Sequence, residues 1–489
     1  MSSALRFVSL LIALIISASA VAACGDEGGN SPASTTAEQA ADPISDGSEE
    51  TEPETTQIPD DLPETDFGGR TFNLAVRSSR IYDFFTEEQT GEAQNDALYE
   101  RNRMIEERFN MKFGFTQFDD GNMASNINKS LKAADGAFDI VVPDYWWGCE
   151  TLNLYYDLLT VPNLDFDKPW WWDGWNQNVR IMNHLFTAVG YGTLDMIRNQ
   201  EVVFFNKQMA VDFGLGDYYE LVDNQGWTFE RLFRDIETVT SDVNGDGQLV
   251  PQDDVFGASF GLHSGRNLFY SAGVRLASAD ENGYWSFDYM SERFEKIFGD
   301  ISKLINATDG VEYNKMSYAE ISSAISEKRL LFWFANISNA VAMRSLEQDF
   351  GIIPTPKYDD LQEDYVTSNL GTSYFAIPLY VGHPEESAII LEALNAESWK
   401  LLKPTYYDVV LKAKGVRDEQ SERMLDLILD KSYIDFVFVN TASLGAAAEA
   451  VFDAVVSKKE SYAASYEKRL KSDTKKMDKL MSIYADAEG

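Results

Sequence analysis

Three stretches decide the fold: Thr71-Phe72-Asn73-Leu74-Ala75-Val76, Met111-Lys112-Phe113-Gly114-Phe115-Thr116-Gln117-Phe118 and Phe138-Asp139-Ile140-Val141-Val142. The first two alternate and read as strands. The third carries a short apolar run, suited to a strand covered on both faces. Helical patterns lie between them. Asn95 is placed to cap a helix over 95–109, with Leu98, Ile105 and Phe109 on one face and Glu and Arg on the other. A second helix is predicted over 123–134. Strand, helix, strand, helix, strand is the pattern of an α/β domain with a largely parallel sheet. Ligands of such sheets bind beyond the carboxyl ends of the strands. Here that end is Pro143-Asp144-Tyr145-Trp146-Trp147.

Downstream, the sequence mixes helix and short strand. Strands are predicted at 201–205, 350–354 and 373–378. Thr228 caps a predicted helix reaching about 240, and further helices are predicted over 385–395, 421–430 and 446–471. No internal repeat of solenoid period appears.

Upstream of residue 67 the chain reads as processing signal and tether. Arg6 and the free amine precede an apolar run from Phe7 to Ala20, too short for the ~20 residues of a bilayer span and closed by small residues as a cleavage site requires. Val21-Ala22-Ala23-Cys24 resembles a bacterial lipobox, which implies removal of residues 1–23 and lipidation of Cys24. Residues 24–66 follow as an acidic linker rich in Ser, Thr, Gly and Pro, without Lys or Arg until Arg70. Such a segment buries too little apolar surface to fold. A flexible chain of about 40 residues reaches ~35 Å, further with self-repulsion.

The whole chain has 489 residues, a net charge of −38 and 2 cysteines. Its length implies two or more domains. Its charge argues against nucleic acid or anionic lipid as a partner. With Cys24 taken by lipid, Cys149 has no partner for a disulfide and is expected to pack as a small hydrophobe.

Several blocks resemble the extracellular solute-binding proteins of bacterial ABC importers, family 1, the maltose-binding-like group. They are Asn95-Asp96-Ala97-Leu98-Tyr99-Glu100-Arg101-Asn102, Phe138-Asp139-Ile140-Val141-Val142, Lys168-Pro169-Trp170-Trp171 and Val203-Phe204-Phe205-Asn206-Lys207. Gly226-Trp227-Thr228-Phe229, Asp349-Phe350-Gly351-Ile352-Ile353-Pro354, Pro356-Lys357, Phe375-Ala376-Ile377-Pro378 and Pro384-Glu385-Glu386-Ser387-Ala388 complete the set. Their order spans about 67–455. The resemblance implies an α/β, two-lobed, periplasmic-binding-protein-like fold of type II with hinge crossovers, the ligand held between the lobes. On that expectation 67–195 plus 352–395 form the N-lobe and 196–351 plus 396–489 the C-lobe. The segments near 203–205 and 350–354 are expected to make the crossings. It also implies a sugar as ligand, ABC permease subunits as partners, a monomer, and a site of work at the extracellular face of the membrane.

Two constellations stand out. Asp242-Val243-Asn244-Gly245-Asp246-Gly247-Gln248-Leu249-Val250-Pro251-Gln252-Asp253 matches an EF-hand-type loop at its first positions, with Asp253 in place of the final Glu. Asp242, Asn244, Asp246, the Gln248 carbonyl and Asp253 would supply oxygens to a structural Ca2+; no organic cofactor is expected. The second is aromatic density: Trp146, Trp147, Trp170, Trp171, Trp172 and Trp175 are six of the ten tryptophans and lie within thirty residues. Sugar faces stack on such rings, and Asp144, Asp173, Asn176 and Asp195 could accept hydroxyl hydrogen bonds. Tyr145 sits in the same loop as Trp146. Trp333, Asn336 and Tyr374 are expected in the cleft from where the family lines it. The competing reading is that such rings pack the core.

Catalytic signals are sparse. His184, His263 and His383 stand in unrelated contexts, and no phosphate loop, nucleophile elbow or Cys/His metal spacing occurs. A binder of an oligosaccharide is therefore the leading reading. A binder of a peptide or polyol, a secreted carbohydrate-active enzyme and an adhesive surface lipoprotein are its rivals.

Overall fold

A computed structural model describes residues 58–145, 153–287, 290–369, 371–408, 411, 418–456 and 461–485. Strand β1 (Arg70–Arg77) lies between β2 (Met111–Phe118) and β3 (Ile140–Val142), all three parallel. The alternation in β1 buries Phe72, Leu74 and Val76 completely, which fixes its register: a slip by one residue would turn all three outward. Helix α1 (Ala93–Phe109) and helix α2 (Asp120–Ala133) make the two crossovers. Glu92, not Asn95, caps α1 by accepting from the Asn95 amide at 3.0 Å. The Asn95 side chain is occupied by the preceding loop, where it accepts from Thr86 Oγ1 and donates to the Glu88 carbonyl.

The sheet continues through residues 373–378, which bridge to β3 at Val141↔Ala376 and to a further extended segment at Ala188↔Phe375, both antiparallel. The chain thus returns to its first sheet after a long excursion through a second one. There the order is β8-β4-β7-β5-β6, built from β4 (Glu201–Asn206), β5 (Phe256–Phe260), β6 (Val311–Tyr313), β7 (Leu330–Asn336) and β8 (Phe350–Ile353). Strand β4 is buried throughout, as its unbroken apolar centre demands. Helix α3 (Phe229–Val239) covers this sheet with Phe229, Leu232, Ile236 and Val239, the helical spacing of one buried face. Thr228 caps it, as expected, by accepting from the Arg231 amide. The approach is so close that a Cβ on Gly257 of β5 would meet the Ile236 backbone at 2.5 Å.

The crossings fall just outside the strands expected to make them. Strands β4 and β8 pair antiparallel inside the second sheet, Val203 opposite Ile353. The chain passes between sheets at about 190–200 and again at about 354–372. These passages run side by side, joined by a Gln200↔Asn369 bridge with both residues fully buried. Both sheets belong to one compact unit, Pro53–Gly489. Residues predicted as one helix over 446–471 form two, α6 (Ala447–Val456) and α7 (Tyr462–Ala485), after α4 (Pro384–Glu397) and α5 (Glu419–Asp430).

Helix α4 is buried almost all round and carries two buried polar anchors. Asn395 Oδ1 accepts from the Gly192 amide at 2.8 Å, and a Cβ on Gly192 would strike the Phe375 ring at 2.5 Å. The Glu392 carboxylate accepts from Trp170 Nε1 at 2.7 Å, Trp171 Nε1 at 3.0 Å and the Asp165 amide at 3.3 Å. Burial nonetheless outweighs these donors and pushes Glu392 up to about 7. A carboxyl whose native value lies above its ordinary 4.5 binds an extra proton when folded, so its stabilisation is complete below about pH 4.5 and is lost as pH rises through 7. Thermal melts from pH 4.5 to 8 should show stability falling across that window, and Glu392→Gln should flatten the fall. An unchanged slope in the variant would assign the pH dependence elsewhere.

Candidate functional site

The site grows from the carboxyl ends of the first sheet. Arg77 ends β1, Asp120 follows β2, Asp144 follows β3, Asp195 lies on the first crossing and Ser373 at the end of the second. All five meet. Arg77 Nη1 lies 3.2 Å from Asp144 Oδ2 and 3.8 Å from Asp120 Oδ2; Nη2 lies 3.5 Å from Asp195 Oδ2 and donates to Ser373 Oγ at 2.9 Å. Ser373 Oγ in turn donates to Asp195 Oδ2 at 2.9 Å, and Arg80 Nε stands 3.6 Å from Asp195 Oδ1. Arg77, Asp144 and Asp195 are buried, so the pairs are little screened.

Next to this group, Arg198 pairs with Asp83, and its guanidinium lies 5.2 Å from the Tyr82 ring and 5.2 Å from the Tyr406 ring. Burial raises the Asp83 carboxyl above its ordinary value while the charge of Arg198 pulls it down. The polar set continues along the crossings. Asn369 Nδ2 donates to the Asp195 carbonyl, Asn199 Nδ2 to that of Gly371, and the Ile337 amide to that of Gln200. It reaches the second sheet at Glu201, which opposes Asn336 in the β4–β7 register and accepts from Asn267 Nδ2 at 3.1 Å. Burial pushes Glu201 up to about 7.

Nearly every charge is answered by an opposite charge or an amide. The histidines stand apart: His184 Nδ1 pairs with Asp157 at 2.7 Å, His383 is exposed, and burial together with Arg266 lowers His263.

Asp144 and Asp195, singled out from sequence, are brought together on Arg77. The aromatic expectation is corrected. Trp170 and Trp171 are core residues whose indoles bind Glu392. Tyr145, Trp175 and Tyr374 pack on one another inside the first lobe, with Tyr145 at 4.5 Å from Tyr374 and 5.9 Å from Trp175. Trp333 stacks on Phe204 within the second sheet at 5.4 Å. Asn176 holds the Val189 backbone from both sides, and Asp173 lies on the surface. Asn336 is half-buried at the end of β7. Trp146, Trp147, Cys149 and Cys24 lie outside the described residues. A run of adjacent tryptophans gives no facing period, so sequence could not separate stacking rings from packing ones. Arg77, Asp83, Arg198 and Glu201 were missed, although Arg77 stands where a parallel strand ends, which is a readable signal.

In the acidic loop, Asp242 accepts from the amides of Gly245 and Gly247 at 2.7 and 2.8 Å, Asn244 from Asp246, and Asp246 from Gln248. Asp253 is exposed. Its neighbour Asp254 is buried and accepts from the Val243 and Val250 amides, which hold its carboxyl below the usual range. Among the described residues no three His, Cys, Asp or Glu side chains stand together as a metal-ligand group.

No family model matches the chain, and no curated protein matches it by sequence. Solved structures do match by fold. The sugar-binding protein MalE from the phytopathogen Xanthomonas citri is 12% identical over 85% of this chain and 99% of that one, with a TM-score of 0.59. The GacH receptor of Streptomyces glaucescens, solved unliganded and with acarbose and an acarbose homolog, is 12% identical over 83% and 99%, at 0.54. A cyclo/maltodextrin-binding protein complexed with maltotetraose is 11% identical over 84% and 97%, also at 0.54. The chain therefore has the two-lobed periplasmic-binding-protein fold, which these binding proteins share.

Truncating the residue on which the site converges takes from buried Asp144 and Asp195 the cation they share. Arg77→Met should destabilise by about 3–5 kcal/mol, read as a shifted urea midpoint, and an effect under 1 kcal/mol would show that the cluster is not held by Arg77.

Proposed function

We propose that this protein is a lipid-anchored receptor that captures an oligosaccharide outside the cell and delivers it to an ABC permease. The observation that carries the reading is the pair of adjacent crossings, bridged at Gln200 and Asn369, between two sheets whose ends carry buried polar and charged side chains. Two lobes on paired strands can close about a solute by hinge motion. Carboxylates, amides and guanidiniums held in place suit hydroxyl groups, each of which both donates and accepts. The ligands of proteins with similar folds, acarbose and maltotetraose among them, support a saccharide. The ABC substrate-binding protein Lmo0181 from Listeria monocytogenes, in complex with cycloalternan, supports the transport role; it is 12% identical, with a TM-score of 0.50.

The anchor is Cys24, with residues 25–57 as tether; the linker expected to run to 66 is shorter, because residues 58–66 dock on the body, where Asp60 pairs with Arg108, Asp61 with Lys168, and Ile58 and Leu62 pack on the core. No helix among the described residues is long and apolar enough to cross a membrane. Cys24→Ser should move the protein from the membrane fraction to the medium; retention in membranes would refute the anchor. The acidic loop at Asp242, Asn244, Asp246, Gln248 and Asp253 takes a structural Ca2+, its side-chain oxygens exchanging backbone amides for the cation.

One melting series tests ligand and cation together. A saccharide at 100 times its dissociation constant should stabilise the protein by ~2.7 kcal/mol with a change in tryptophan fluorescence and no new reducing ends. Millimolar Ca2+ should raise Tm, and Asp242→Asn should abolish that rise. Turnover of the sugar would replace the receptor reading with an enzyme, and indifference to Ca2+ would remove the cation.

A further inference from the structure

The rings expected to stack on sugar are core, yet two other aromatic rings stand open beside the site. Tyr82 is 48% exposed and Phe85 is 44% exposed. Both line a cavity of about 410 Å³ whose wall also includes Asp83, Glu92, Arg198 and the crossing residue Leu194. Two outward rings flanking a polar cavity are costly to leave in water unless something covers them.

The loop that presents them is rigidly made. Phe84 is buried, and its carbonyl accepts from Arg101 Nη2 and Asn102 Nδ2 on α1. The Phe84 and Phe85 amides both donate to the Ile81 carbonyl. Thr86 Oγ1 donates to Asn95 Oδ1, while Asp96 accepts from the amides of Thr90 and Gly91. Phe85 is thus turned outward by a fixed backbone, its ring braced on Phe115 at 5.7 Å. Tyr82 is held by Arg80 at its hydroxyl and by Arg198 over its face.

The same cavity wall holds a carboxylate with capacity to spare. Asp83 is 4% exposed, one oxygen pairs with Arg198, and Oδ2 accepts no hydrogen bond. A buried acceptor left unmet is unfavourable unless a donor arrives. The charge of the cavity restricts that donor. Arg198, the one cation among the described residues that line it, is already committed to Asp83, and Glu92 adds a second carboxylate.

We infer that Tyr82 and Phe85 form a pyranose subsite, with a sugar hydroxyl donating to Asp83, and that it admits neutral saccharides and rejects acidic ones. This rests on the saccharide-receptor reading and adds where a ring is held and of what charge.

Isothermal titration of the full chain with maltotetraose, acarbose, cellotetraose and trigalacturonate tests it. At least one of the first three should bind and trigalacturonate should not. Tyr82→Ala and Phe85→Ala should each weaken that binding at least ~10-fold with Tm unchanged, because neither ring is core, and Tyr82→Phe should restore it. Binding by wild type that both alanine variants retain, or preference for trigalacturonate, would overturn the subsite while sparing the receptor. Silence from all four would overturn the receptor reading itself, and the subsite with it.

Discussion

A single guanidinium ties the first lobe to both passages into the second. Arg77 ends the central strand and gathers Asp120, Asp144, Asp195 and Ser373, which lie far apart in sequence. Ion pairs at this depth are strong only when each charge is answered and each remaining lone pair is met, because desolvation costs several kcal/mol per ion. Ser373 contributes to that by bonding both Arg77 Nη2 and Asp195 Oδ2. The consequence is geometric: the first crossing leaves the sheet at a fixed point, and the second returns beside it. Gln200 and Asn369 can then pair beside Glu201, the first residue of β4.

A second constraint explains why the tryptophan-rich segment is structural. Helix α4 is apolar on almost every side, so it needs cover from irregular chain. Trp170 and Trp171 supply it, and their indole nitrogens require acceptors once buried. Glu392 provides both. The same burial makes that carboxyl reluctant to ionise, which couples the packing of the lobe to pH. Large rings spent in this way are unavailable to a ligand. The smaller, open pair at Tyr82 and Phe85 stands instead on a loop that hydrogen bonds make rigid.

Much of the fold was legible because the signals were local. The period of β1 and β2, the Thr228 cap and the strands at 201–206 and 350–353 follow from alternation, capping chemistry and apolar runs. The crossings were misplaced by a few residues because a strand pairing inside one sheet and a strand leaving it have the same sequence pattern. Asn95 was misread as a cap because Glu92, three residues earlier, reaches the same amide. Asp144 and Asp195, singled out from sequence by position and composition, meet on Arg77; Asp83 and Arg198 were not singled out, since an acid or arginine in a loop says nothing of its partner.

The amino-acid sequence by itself determined most of which segments are strand or helix, and where a parallel sheet must end. Those properties depend on neighbours within a few residues. Only the tertiary structure decided which aromatics are covered and which are open, and which acids face a cation. Burial and pairing are set by chain segments hundreds of residues apart, as Trp170 with Glu392 and Arg77 with Ser373 show, and no local pattern encodes that meeting.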